Sequence, residues 1–196
     1  RHKLYYAKKA VLASLDRWAE SFTLIPDFVR DYVEKNPNGH AAYRTDPFTG
    51  IFKGLAVFPP TMRLACAFFK RVWALDCAHL RADWTDGRLM LLMAQDWMEH
   101  PVIIGVAVVD SESCDSYRWF LEEAKKMACV QRVINDREEK LAVISDRGGA
   151  IINALQQSWP VVCQRHCVRH LLGNVKSNIR GTGGLTLEAQ TLNATT

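Results

Sequence analysis

The sequence predicts a mixed α/β fold in which three antiparallel strands are followed by two αβ units. Two observations carry this. Three apolar runs at 72–80, 88–96 and 101–110 are separated by short polar gaps, and short gaps join antiparallel neighbours. The apolar runs beyond them alternate with helical stretches, an order that brings each later strand back parallel to the first. Length and composition agree. The 196 residues suit one domain plus an extension, at ~150 residues per domain. With 48% hydrophobic and 23% charged residues, chain-wide disorder and fibrous repeats are excluded.

Each element has its own local reason. Residues 3–22 read as an amphipathic helix, because Leu4, Ala7, Val11, Leu15, Trp18 and Phe22 recur at spacings of three and four. A second helix starts at Pro26-Asp27, where proline suits the first turn, and stops at Asn36-Pro37-Asn38-Gly39. Residues 40–58 read as irregular or short strand. A third helix follows Pro59-Pro60, with Met62, Ala65, Cys66 and Phe69 on one face. After the three strands comes a helix over 115–130, its buried stripe marked by Tyr117, Phe120, Leu121, Ala124 and Ala128. Residues 140–146 form a fourth strand, 148–158 a helix, 161–163 a short fifth strand and 167–179 a last helix. The tail from Gly181 reads as loop. The expected division is a helical region over 1–70, an incomplete core over 71–180, and a linker or the start of an inserted region over 181–196. A β-β-β-α-β-α-β-α order on a five-stranded mixed sheet is that of a ribonuclease H-like fold. A doubly wound nucleotide-binding domain would open with βαβ and a Gly-rich turn, and neither is present.

Charge is uneven. Lys and Arg outnumber Asp and Glu 11 to 6 over residues 1–70, within a net charge of +4. From 147 to 187 there are five basic residues and no acid, whereas acids dominate around 76–123. Basic stretches beside an acidic cluster suit phosphate docking next to a metal site. The six cysteines are scattered through apolar stretches, which argues for a reducing compartment rather than a disulfide framework. The longest apolar runs are about half of the ~20 residues a membrane helix needs, so no membrane partner is expected. No basic-then-apolar leader opens the chain, and the start at Arg1 rather than Met predicts a fragment of a longer protein.

Two acids stand out. Asp76 interrupts the apolar run Trp73-Ala74-Leu75-Asp76-Cys77-Ala78, and an ionised carboxylate there is costly unless compensated. Asp146 ends the run Leu141-Ala142-Val143-Ile144-Ser145 just before a helix. Either one alone could cap a helix or pair with an arginine. Together, on strands the predicted order makes adjacent and parallel, they could share hard divalent cations, Mg²⁺ or Mn²⁺. Cys163-Gln164-Arg165-His166-Cys167-Val168-Arg169-His170 offers zinc-ligand types, with Cys167 and His170 as the structural or zinc candidates. Four ligands within eight contiguous residues disfavour a tetrahedral Zn²⁺ site, however. Arg147, Arg165, Arg169, Lys176 and Arg180 form a basic stripe suited to a DNA backbone, although any one of them could simply be solvated. Glu112 could orient the site or be a loop acid. His79 could sit behind Asp76 or be a satisfied core histidine. Trp84, Trp97 and Trp119-Phe120 read as core or turn anchors rather than base-stacking platforms.

From about Tyr5 to Asn174 these segments resemble the transposases of Mutator-like elements. Leu75-Asp76-Cys77-Ala78-His79-Leu80 is similar to the family's first-acid strand, although Cys77-Ala78 stands where Gly-Thr is common. Residues 101–109, Glu112 and Tyr117-Arg118-Trp119-Phe120-Leu121 are similar to its "P-x-A-x-A-x-V … E … W-x-W-F" segment. Ile144-Ser145-Asp146-Arg147 is similar to its second-acid segment, and Cys167-Val168-Arg169-His170-Leu171 with Asn174 to its C-x-x-H … N signature. Leu24-Ile25-Pro26 and Asn36-Pro37 also resemble the family's lead-in. The resemblance implies an Asp-Asp-Glu triad on a ribonuclease H-like fold, with Asp76 and Asp146 as the first two members and two divalent ions between them. It implies double-stranded DNA as partner (transposon ends and target), phosphodiester hydrolysis and strand transfer, a nuclear location and room for a homo-oligomer. The family's Glu lies well past the C-x-x-H. Glu188, the one acid after Cys167, is too close, so the third acid is expected beyond residue 196 and this fragment alone is expected to be inactive. The alternatives are a domesticated transposase acting as a DNA-binding or transcriptional regulator without catalysis, a nuclease of RNA–DNA hybrids, and a decayed element copy.

Overall fold

The computed structural model describes residues 21–80 and 87–181. The predicted helix over 3–22 and the tail lie almost wholly outside these residues, as does Trp84.

One seven-stranded mixed sheet organises the chain, in the order β1-β2-β5-β4-β3-β6-β7. Before it runs α1 (Ile25–Lys35), with Pro26 in its first turn. The helix is tethered where the Tyr32 hydroxyl donates to the Phe58 carbonyl at 3.2 Å. Then come β1 (His40–Thr45) and β2 (Phe52–Phe58), paired antiparallel from His40↔Phe58 to Thr45↔Phe52. The sheet therefore has seven strands, not five, because 40–58 is an ordered hairpin. Its alternation was present in the sequence, since Gly54, Ala56 and Phe58 are buried and the residues between them are less so. Asp46 closes the turn by accepting from the Phe48 and Thr49 backbone N–H groups and the Thr49 hydroxyl. These bonds hold its carboxyl below the usual range.

The expected third helix shrinks to α2 (Met62–Ala65) and a 3-10 turn (Cys66–Phe68). As a result β3 (Phe69–His79) begins three residues earlier than predicted. It pairs antiparallel with β4 (Arg88–Asp96), which pairs antiparallel with β5 (Pro101–Val109). The predicted helix over 115–130 is two helices, α3 (Cys114–Lys125) and α4 (Ala128–Ile134). Met127 breaks it by taking extended dihedrals (φ −73, ψ 114), and its side chain is buried. The redirected α4 packs on the 3-10 turn. Next are β6 (Ala142–Ser145), α5 (Gly149–Ser158), β7 (Cys163–His166) and α6 (Val168–Gly181). The fifth core strand lies two residues later than predicted, because the Val162 N–H donates to the Trp159 carbonyl and prolongs the turn after α5.

The core lies on one face of the sheet, beneath α3 and α5. Trp73 and Leu75 of β3, Met90 and Leu92 of β4, Val143 of β6 and Phe58 of β2 all point into it. Trp73 and Trp159 meet edge-on at 6.3 Å, and the Trp159 indole N–H donates to the Leu121 carbonyl at 3.3 Å. Such an aromatic pair adds about 0.5–1.5 kcal/mol beyond area burial. At the other edge Arg44 bonds Asp115 at 2.6 Å and Ser116 at 3.0 Å and lies over the Trp119 ring, joining β1 to α3. Trp97, predicted as a core or turn anchor, is 71% exposed in the β4–β5 turn, so it anchors no core.

Candidate functional site

The carboxyl ends of β3, β6 and β7 lie side by side. β3 and β6 are parallel, with Val72↔Ala142, Trp73↔Val143 and Ala74↔Ile144. Continuing that register by two residues sets Asp76 opposite Asp146. Neighbouring strands run about 4.8 Å apart. Both acids are an even number of residues from Ala74 and Ile144, so they share the sheet face opposite the core. In the same way β6 and β7 pair up to Ser145↔His166, and the next step sets Asp146 opposite Cys167. The Cys167 N–H donates to the Ser145 carbonyl at 2.7 Å, which holds that edge together.

Asp76 is exposed, so the desolvation cost expected from its apolar neighbours does not arise. The strand is apolar because its other face is buried. Asp76 Oδ1 accepts from the Cys77 N–H at 2.9 Å. Asp146 is half-buried, and its Oδ1 accepts from the Gly148 N–H at 3.0 Å. Oδ2 of neither acid has a hydrogen-bond partner among the described residues. Ser145, buried beneath, donates to the Asp146 carbonyl at 2.9 Å and accepts from Gln164 at 3.4 Å. Gly148 is close to the acid, and its dihedral angles are ones any residue can adopt. A Cβ at that position would stand 3.1 Å from Asp146 Oδ1. Sequence reasoning missed Ser145 and Gly148. The string Ser145-Asp146-Arg147-Gly148 was the only signal, and it carries no distance.

Two hard carboxylates, one on β3 and one just past the end of β6, each with an oxygen left over, fit a divalent cation of the Mg²⁺ or Mn²⁺ type. No group of three or more His, Cys, Asp or Glu residues able to hold a metal occurs among the described residues.

The other predicted residues are placed as follows. His79 is three residues from Asp76 on one strand, so it projects from the opposite face and pairs in register with Arg88. Glu112 also reaches the sheet from the core side, where its carboxylate accepts from the Tyr117 hydroxyl at 3.0 Å. Burial, with the Glu112 charge behind it, pushes the Cys77 thiol up to about 11. Burial likewise raises the Tyr117 phenol, with Cys77 and Glu112 adding to it. Arg147 is exposed just before α5. Arg165 is exposed on β7, where it donates to the Gln164 carbonyl. Arg169 and Lys176, both exposed and seven apart, share a face of α6. His170 is exposed one turn beyond Cys167, which is half-buried.

The family model for the MULE transposase domain matches residues 72–174, slightly more than half of the chain. The chain belongs to the MULE transposase family. The MULE match takes in both candidate acids, Glu112, the C-x-x-H and Asn174. It spans most of β3 through the first half of α6 and leaves out the β1–β2 hairpin. No curated protein matches the chain.

Proposed function

We propose that this chain is the catalytic-domain portion of a MULE transposase, with a ribonuclease H-like core that acts on double-stranded DNA in the nucleus. One observation supports the reading: the parallel β3–β6 register, which runs to Ala74↔Ile144 and is continued two residues further, aligns Asp76 with Asp146. The strand order β5-β4-β3-β6-β7 supports the fold assignment, since it is three antiparallel strands flanked on the β3 side by two parallel ones. Asp76 and Asp146 would hold the divalent ions. When bound, two such ions activate the attacking oxygen and stabilise the leaving oxygen of a phosphodiester. The chain's own residues do the rest. Gly148 and Ser145 orient the Asp146 carboxylate and its peptide. Arg147, Arg165, Arg169 and Lys176 meet the phosphate backbone near the acid edge, which brings the scissile bond to the carboxylates. The triad implied by the family would need a further Glu, which neither Glu112 nor Glu188 supplies.

A Mn²⁺ titration of the 196-residue chain by calorimetry, beside Asp76→Asn and Asp146→Asn, tests this. Saturable binding in the wild type that weakens at least tenfold in each folded variant is the expected outcome. Equal binding in all three would overturn the metal site and favour a transposase-derived DNA-binding regulator.

A further inference from the structure

Three basic side chains from three separate elements meet around one cleft. It measures about 580 Å³ and is lined by His40 at the start of β1, Lys126 at the end of α3 and Arg132 in the last turn of α4. Among the described residues that line it, none is an Asp or a Glu. Two of the basic groups are held in place from behind. Glu123 of α3, 7% exposed, bonds the His40 ring at 2.6 Å and the Lys126 ammonium at 2.8 Å with each of its oxygens. That carboxylate fixes both side chains at the cleft without lining it. Arg132 is exposed and has no ion-pair partner among the described residues. A cleft walled by basic groups and no acid suits an anion, and fixing those groups beforehand lowers the entropy cost of binding one.

The cleft stands apart from the carboxylates. β1 is at one edge of the sheet, four strand positions from β3 and six from β7. At ~4.8 Å per spacing these are roughly 19 Å and 29 Å. The cleft also lies on the side of the sheet that carries α3, whereas Asp76 and Asp146 share the other face. At ~3.4 Å per base pair, 19 Å is about five to six base pairs of duplex. We propose that this cleft binds backbone phosphates of a DNA segment other than the one whose phosphodiester lies at the acid pair. The proposal rests on the reading of the chain as a protein that acts on DNA. The cleft is several times larger than one phosphate group, and its basic groups come from three elements, which suits a chain of phosphates. Lys126 and Arg132 each meet a phosphate, and His40 lines the path between β1 and α3. Contacts of this kind read no bases. They add affinity at any sequence and fix the direction in which the duplex leaves the acid edge.

The test follows binding of a fluorescein-labelled duplex of about 25 base pairs to the 196-residue chain by anisotropy, from about 50 to 200 mM salt. Arg132→Gln and Lys126→Gln should each weaken binding several-fold at low salt. Each should also lower the slope of log K against log salt by about 0.9, the loss of one phosphate contact. Arg118→Gln, which removes an exposed α3 cation outside the cleft lining, should leave the slope unchanged. If Lys126→Gln does not fold, Arg132→Gln alone decides, because its side chain is exposed. The proposal is overturned if Arg132→Gln binds with wild-type affinity and slope, if Arg118→Gln loses as much, or if the wild type binds no duplex. It is also overturned if polyglutamate displaces the labelled duplex as well as unlabelled DNA does, which would assign the cleft to an acidic peptide. Mn²⁺ binding should be the same in Arg132→Gln and the wild type, so a failure at the cleft and a failure at the acid pair are read separately.

Discussion

Gly148 leaves so little room beside Asp146 that one methyl group should register. In Gly148→Ala the new Cβ stands 3.1 Å from Oδ1 and the carboxylate must shift by a few tenths of an ångström. The variant should fold with near-normal Tm but bind Mn²⁺ several-fold more weakly, a smaller loss than in Asp146→Asn. Calorimetry of both variants checks this. A different residue governs acid stability. Glu123 is 7% exposed, bonded to His40 at 2.6 Å and to Lys126 at 2.8 Å. Burial pulls its carboxyl up, but the His40 and Lys126 bonds outweigh burial and leave it below its ordinary value of 4.5. A depressed folded-state pKa contributes stability that is complete above 4.5 and lost as pH falls through the folded value. Glu123→Gln should therefore lower Tm most at neutral pH, and the gap from wild type should close in acid. A gap that widens below pH 4.5 would contradict the sign. Asp76 and Asp146 were legible as residues because each is a charge in an apolar run. The pair His40–Glu123 was not, since 83 residues separate its members and neither breaks a pattern.

At the scale of the element, close backbone approach matters more than propensity. Gly105 of β5 lies against the Phe58 ring, and a Cβ there would meet it at 2.3 Å. Phe58 is fully buried, so it has nowhere to move. Gly105→Ala should destabilise by about 2 kcal/mol or more through overpacking, measurable by urea unfolding. At the start of α3 the Ser113 hydroxyl accepts from the Ser116 N–H at 3.1 Å. Ser113→Ala should cost about 1 kcal/mol by the same measurement. The sequence marked β4 and β5 well, since each is an apolar run bounded by polar turns. It misplaced the short elements. A four-residue strand such as β7 carries too little pattern to locate, and its ends are set by which hydrogen bonds β6 offers. The break at Met127 was hidden because Ala128 and Val130 continue the helical apolar spacing.

For the whole molecule, a ligand that binds only the folded chain must raise its stability. If Mn²⁺ binds at Asp76 and Asp146, the wild-type unfolding free energy should rise by about 2.7 kcal/mol at a hundredfold excess over Kd. Neither Asp76→Asn nor Asp146→Asn should show the rise. Differential scanning fluorimetry with and without Mn²⁺ reads it directly. The described residues contain no helix long and apolar enough to cross a membrane.

What the sequence determined by itself is local: which residues alternate, where charge interrupts an apolar run, where proline and glycine punctuate the chain. That was enough for the α/β class, the antiparallel run at 88–109 and both candidate acids. Tertiary structure alone decided how the pieces meet. Hydrogen bonding between strands fixed the parallel β3–β6 register, whose continuation past Ala74↔Ile144 aligns Asp76 with Asp146, and paired His79 with Arg88 on the other face. The same pairing drew the β1–β2 hairpin onto β5 and made the sheet seven-stranded. Side-chain periodicity tells which face a residue occupies along its own strand. It carries nothing about the neighbouring strand, whose pairing is a long-range contact chosen by the packing of the whole core.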